Sequence, residues 1–368
     1  MSSGNDGMTA PRLRLGLRKR LALELYKNRR DTLIAAHPLR TLFWECTQRC
    51  NIACKHCGSD CKISTHIADM PAEDFLKAVD SITPHVDSHK VLVVITGGEP
   101  LMRNDLESIG LALYRRGYPW GIVTNGLALS ETRFMSLRKA GIHSITVSID
   151  GLEEDHNWLR GHRDAFSRAT AACRMIAAAT DLHSDAVTCV NNRNIATLGE
   201  LKEKLIEAGM RAWRLFTIFP AGRAASHPEF QLSATDYRRL LDFIKETRAE
   251  GRIHASYCCE GFLGEYEGDV RDSFFGCNAG ISVGSILING DISACPSIRS
   301  NYAQGNIYRD DFMTVWNNRF EPYRNRAWMR ELEPCSHCKA FRYCRGGAMH
   351  LRESDGTLMR CNLLDLQK

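Results

Sequence analysis

Trp44-Glu45-Cys46-Thr47-Gln48-Arg49-Cys50-Asn51-Ile52-Ala53-Cys54-Lys55-His56-Cys57 is the stretch on which the fold turns. It opens at the end of a short apolar run, 41–45, that reads as a strand. It then places Cys50, Cys54 and Cys57 at Cys-x3-Cys-x2-Cys spacing on one loop. Three thiolates so placed can hold three corners of a cubane iron–sulfur cluster, which otherwise takes four cysteines. The remaining iron is then open, and an open coordination position separates a catalytic metal centre from a structural one. Cys46 and Cys61 flank the set at four-residue offsets, so the register is not unique. A zinc site and cysteines that are simply buried are the competing readings.

Working outward, the chain alternates strand and helix. Apolar runs at 90–96, 120–124, 144–149, 186–190 and 213–218 read as strands. Helical patterns lie between them, at 72–82, 105–116, 131–140, 165–179 and 198–208, with a further helix at 235–250. Gly117 and Gly141 stand where helix C-caps belong. Six such units in a row predict an α/β fold with a parallel sheet curved into a partial (β/α)6 TIM-like barrel, residues 41–257. Its functional residues should sit at the C-terminal ends of the strands.

Cys50, Cys54 and Cys57, with the aromatic His56 before the last cysteine, resemble the signature loop of the radical S-adenosylmethionine (SAM) superfamily. The resemblance implies that SAM chelates the open iron. Reductive cleavage to a 5′-deoxyadenosyl radical then lets the enzyme abstract a substrate hydrogen. The strand ends follow the family order. Gly97-Gly98-Glu99-Pro100 ends the second strand; in the family this segment meets the SAM amino group, and glycine permits the close approach. Asn125 ends the third strand. Ser148 and Asp150 end the fourth and, two residues apart, share one face. Arg160 follows and suits bidentate binding of the SAM carboxylate, although a surface helix cap is its bland reading. Asn191, Asn192 and Gly222-Arg223 are weaker candidates at the fifth and sixth strand ends. Cys173 and Cys189 read as small core residues.

Residues 258–368 are rich in Cys and Gly and read as a region held by metal more than by a core. Cys277, Cys295, Cys335, Cys338, Cys344 and Cys361 resemble the C-terminal SPASM extension of radical SAM enzymes. The resemblance assigns Cys335, Cys338, Cys344 and Cys361 to one auxiliary 4Fe–4S cluster, the distal one. The proximal cluster keeps Cys277 and Cys295 but lacks a ligand, because Ala348 stands where the pattern has a cysteine. Whether a second auxiliary cluster exists is left open; Cys258 and Cys259 are the candidate replacements. Structural zinc is the competing reading of the distal set.

Composition sets the remaining bounds. An odd count of fifteen cysteines argues against a disulfide framework. The first residues carry no apolar h-region, and no run approaches 18 apolar residues, which predicts neither a signal peptide nor a membrane span. A net charge of +5 is too mild to indicate nucleic acid, and no recognition motif for it occurs. Residues 1–40 are basic, with a helical pattern over 13–36. They read either as a packed helix with a solvated basic face or as a surface for a membrane or a partner.

The expected function is therefore radical modification of a peptide or protein in the cytoplasm, with a flavodoxin or ferredoxin as electron donor. Short segments around Cys277 and Ala348 resemble a subfamily associated with small bacterial lipoproteins. That likeness implies a lipoprotein-like peptide, with the basic N-terminus as a docking or membrane-facing surface. A small-molecule cofactor precursor as substrate, or a non-catalytic iron–sulfur electron-transfer or metal-binding protein, are the alternatives.

Overall fold

Seven parallel strands follow one another in chain order: β1 (Thr41–Glu45), β2 (Leu92–Thr96), β3 (Trp120–Thr124), β4 (Ser144–Ser148), β5 (His183–Val190), β6 (Ala212–Thr217) and β7 (His254–Tyr257). The computed structural model describes residues 11, 13, 15–62, 65–298 and 301–368. The sheet is larger than the six strands expected. β7 extends one edge, and β8 (Val283–Ile286) pairs in parallel with β1 at the other. β9 (Asp291–Ser293) and β10 (Gly305–Asn306) then continue antiparallel, giving the order β10-β9-β8-β1-β2-β3-β4-β5-β6-β7. β10 and β7 are its two edges, so the barrel is partial.

Helices cover this sheet: α1 (Leu17–Ala36), α2 (Ala72–Ile82), α3 (Leu106–Arg115), α4 (Glu131–Lys139), α5 (Glu153–Arg160), α6 (Ala165–Ala177), α7 (Leu198–Glu207), α8 (Ala234–Glu250) and α9 (Phe312–Arg319). In α2 the buried residues Phe75, Ala78, Val79 and Ile82 recur at helical spacing, so one stripe faces the sheet. Phe75 stacks on Trp44 of β1 at 4.1 Å between ring centres. α8 starts where Ser233 accepts the Asp236 N–H and stops at the left-handed Gly251.

The C-terminal region is not held by metal alone. Ile286, Ile292, Phe312 and Trp316 belong to the same core as Leu42 and Trp44. A strand that pairs with β1 must bury its apolar side chains against the same helices, so the core runs across position 258. α1 packs on this region too: Arg30 donates to the carbonyls of Arg342 and Tyr343, and Glu24 pairs with Arg342. The basic residues Arg12 and Arg14 lie outside the described residues. Among the described residues, no helix is long and apolar enough to cross a membrane.

Candidate functional site

Cys50, Cys54 and Cys57 leave the C-terminal end of β1 and gather in one cluster of buried groups with Ile52 and Cys61. Cys46 is elsewhere, fully buried in the main core beneath the sheet. Burial there pushes its thiol far above its ordinary value, so it makes a poor thiolate ligand. The packing thus removes Cys46 from the register but keeps Cys61, whose thiol hydrogen-bonds Cys57 and helps hold the Cys57 thiol well below its ordinary value.

Three neighbouring strand ends clamp the loop. Gly98 N–H donates to the Thr47 carbonyl at 2.7 Å and Glu99 N–H to that of Arg49 at 2.9 Å. A Cβ on Gly97 or Gly98 would come within 2.2 Å of Thr47 O or 2.1 Å of Arg49 O, and Gly97 has φ +142°. These glycines therefore seat the cluster loop itself. Glu99 is engaged within the protein. Its carboxylate accepts from Leu101 N, Thr124 Oγ1 and Asn125 N, bracketing the ends of β2 and β3, while burial raises its pKa. Pro100 is buried and opens the short turn of 3-10 helix Pro100–Met102. Asn125 Nδ2 donates to Asn51 Oδ1 at 2.8 Å and lies 3.9 Å from Cys50 Sγ.

Asp150 and Arg160 form a buried pair, Nε to Oδ2 at 2.6 Å. The other Asp150 oxygen accepts the Cys189 N–H at 2.8 Å. Asp150 thus positions Arg160, whose Nη1 reaches Cys54 Sγ at 3.7 Å. Burial raises the Cys54 thiol, and Arg160 works against that shift. Ser148 is buried at the end of the same strand. His56 is largely enclosed beside Asp150, and desolvation there pushes its pKa down to about 4. Its Nδ1 has no hydrogen-bond partner, a deficit that a polar ligand would relieve.

The weaker candidates hold the loop or close turns. Arg223 donates to the carbonyls of Cys54 and Cys61 and to Asp60. Asn191 caps the Arg193 N–H, and Asn192 donates to Glu229 O. Cys189, expected in the core, instead adjoins His56 and Asp150 with ligand atoms within 4.8 Å of one another. Its position at the exit of β5 was the signal, since that is where a barrel site lies. Cys173 is fully buried in the main core, as a small core residue would be.

Two further cysteine groups occupy the C-terminal region. Cys335, Cys338, Cys344 and Cys361 line a single cavity with Gly346 and Gly347. Arg352, wholly buried, reaches Cys335 Sγ at 3.4 Å. Cys277 accepts the Met349 N–H, and with Arg326 nearby its thiol lies below its ordinary value although burial opposes this. Each group therefore carries a buried arginine that offsets thiolate charge, a feature with no signature in the cysteine spacing.

Spacing also bears on the metal. Thiolates around one zinc at 2.3 Å lie about 3.8 Å apart in a tetrahedron. Among the described residues, His56–Asp150–Cys189 is the one group with three such ligand atoms within 4.8 Å. Among the described residues, no three of the cysteine thiols lie within 4.8 Å of one another.

Comparison with known proteins agrees. Residues 44–205 match the model of the radical SAM superfamily, and residues 277–339 match an iron–sulfur cluster-binding domain, SPASM. An AdoMet-dependent heme synthase of Methanosarcina barkeri is 27% identical over 83% of this chain and 90% of its own. A PqqA peptide cyclase of Rhizobium meliloti is 26% identical over 87% of this chain and 86% of its own. The crystal structure of Streptococcus suis SuiB bound to its precursor peptide SuiA superposes with a TM-score of 0.68 at 17% identity, covering 98% of this chain and 83% of that one. The chain carries a radical SAM domain and a SPASM domain, which makes it an enzyme and implies that it binds SAM and iron–sulfur clusters.

Proposed function

We propose that this enzyme modifies a ribosomally made, lipoprotein-like peptide or protein by hydrogen abstraction. The observation that carries the reading is the outer face of α1. Leu17, Leu21 and Leu25, one turn apart, are 73%, 58% and 73% exposed and stand among Arg18, Arg20 and Arg29. Three leucines left in water on a helix pinned to the SPASM region suit an amphipathic peptide with acidic residues. The PqqA peptide cyclase among the relatives supports the same class of substrate.

When bound, the first cluster and SAM supply a carbon-centred radical. The chain's own residues then have separate tasks. Cys50, Cys54 and Cys57 hold the cluster, and Asn125 and Arg160 donate toward its sulfur ligands. Gly97 through Pro100 seat the loop, Asp150 positions Arg160, and His56 Nδ1 and Ser148 meet SAM. Cys335, Cys338, Cys344 and Cys361 hold the distal auxiliary cluster. A flavodoxin or ferredoxin provides the electron in the cytoplasm. On a membrane-borne peptide, the basic face of α1 would also meet anionic lipid.

A second reading, radical chemistry on a cofactor precursor, draws on the 27% identical heme synthase. One assay separates the two. Anaerobic enzyme, SAM and dithionite are supplied with a peptide encoded beside the gene or with an iron porphyrin, and 5′-deoxyadenosine is counted. The peptide should raise turnover and change in mass, and Cys54→Ala should abolish both. Stimulation by the porphyrin alone sinks the peptide reading.

A further inference from the structure

Glu260, shortly past the end of β7, is a carboxylate shut inside the molecule, 2% exposed. Burying a carboxylate is costly unless its oxygens are satisfied. Here Thr217 N–H donates to Oε1 at 2.8 Å, Thr217 Oγ1 to Oε2 at 2.6 Å, and the Tyr257 hydroxyl to the same Oε2. Burial raises its pKa, and the Arg360 charge together with these bonds works against that shift.

From Glu260 two arms of hydrogen bonds run to the C-terminal chain. In one, Thr217 Oγ1 also accepts from Arg360 Nη1 at 2.7 Å. In the other, Tyr257 OH lies 3.0 Å from Tyr237 OH, which accepts from Asn362 Nδ2 at 2.7 Å. Tyr257 gives its one hydroxyl proton to Glu260, so Tyr237 is the donor of the tyrosine pair. Both arms thus donate inward and end on the Glu260 oxygens. Arg360 and Asn362 are the two neighbours of Cys361. The Arg360 guanidinium also lies 4.8 Å over the Tyr237 ring, and its Nε donates to Asp365 at 2.7 Å. Gly261 packs so closely on Asn362 Oδ1 that a Cβ there has no room. The cavity shared by Cys335, Cys338, Cys344 and Cys361 is lined by Gly261, Arg360 and Asn362 as well.

We propose that Glu260 and Thr217 are positioning residues for the distal cluster, holding Cys361 from both sides against the exit of β6. The proposal rests on the reading of Cys361 as a cluster ligand and adds what keeps that ligand in place. Cys335, Cys338 and Cys344 share one short stretch, whereas residues 345–360 separate Cys361 from them. Its place must therefore be fixed by contacts outside that stretch, and the two arms supply them. A closed four-iron cluster takes four thiolates. With an arm cut, Cys361 is the ligand that lets go. Mild oxidation then passes one electron to the oxidant and releases one Fe2+, leaving a three-iron cluster.

The test uses the full-length chain, reconstituted anaerobically, in a parent carrying Cys50→Ala, Cys54→Ala and Cys57→Ala so that the first cluster is absent. Ferricyanide is the oxidant, and electron paramagnetic resonance reads the three-iron signal. Cys361→Ala should gain that signal. Thr217→Val and Glu260→Gln, both close to isosteric, should gain the same one. The first loses the hydroxyl that joins Arg360 to Glu260, and the second turns an acceptor into an amide donor. Thr217→Ser keeps the hydroxyl and should match the parent. Ile244→Val trims a buried side chain of α8, the helix that carries Tyr237. It should lower the melting temperature yet keep the parent spectrum, which separates positioning from general loosening.

A parent-like spectrum in Thr217→Val or Glu260→Gln, beside a changed Cys361→Ala, overturns the positioning role and spares the ligand reading. A three-iron signal in Ile244→Val as strong as theirs overturns it too. A parent spectrum in Cys361→Ala itself overturns the ligand reading, and the proposal falls with it.

Discussion

Asp150 shows how one side chain organises the site. Both of its oxygens are committed, one to Arg160 and one to the Cys189 backbone, and it is wholly buried. Asp150→Asn would leave Arg160 buried without its counter-charge, which costs about 3–5 kcal/mol in comparable pairs. Denaturant unfolding should show that loss, and the Michaelis constant for SAM should rise while iron content holds. Unchanged stability would mean the pair is not closed in solution. His156 offers a test by pH. Burial, reinforced by Arg160, pushes its pKa down to about 3, and its Nδ1 accepts the Asp150 N–H at 2.8 Å. The folded pKa lies below the unfolded value of about 6.5, so unfolding takes up a proton below that pH. Stability from this group is complete above about 6.5 and declines as pH falls toward 3, by up to about 1.4 kcal/mol per pH unit. His156→Gln keeps an acceptor but cannot titrate. The fall in melting temperature between pH 6.5 and 4.5 should therefore be shallower in the variant.

At the scale of elements, the cluster loop is a strand exit braced by its neighbours. The second strand's exit reaches it through Gly97 and Gly98, and the sixth through Arg223. Gly98→Ala places a methyl 2.1 Å from a backbone carbonyl, an approach that flexible side-chain motion cannot relieve. The loop must shift, so iron per chain should fall by about half or more and SAM cleavage with it, while circular dichroism stays native. Full iron loading in that variant would show that the loop seats itself without the second strand. The periodicities that mark these elements were plain in the sequence: the apolar spacing of α2 and the runs of β1 and β3 have the observed bounds. β7 was not, because four residues alternating polar and apolar, His254-Ala255-Ser256-Tyr257, are too short a pattern.

For the whole molecule, the consequence is a single continuous core. β8 supplies β1 with its second neighbour, and Ile286, Phe312 and Trp316 pack with Trp44. A chain ending at residue 257 would expose the β1 edge and that apolar surface together. It should be insoluble or molten, with dye binding to exposed apolar groups and no cooperative melting; a cooperative transition in the shortened chain would show the two regions fold apart.

The sequence by itself determined the make-up of the candidate first site. Cys50, Cys54 and Cys57 are eight residues from end to end, and the glycines, Asn125 and Asp150 recur at strand exits; local spacing and periodicity carry such information. Only the tertiary structure decided which cysteines meet. It sends Cys46 into the core and brings Cys61 to Cys57. It also turns Glu99 into a bracket between strands and Asp150 into the holder of Arg160. These outcomes depend on contacts between residues far apart in the chain, and on which way a side chain points after a strand ends, neither of which a spacing encodes.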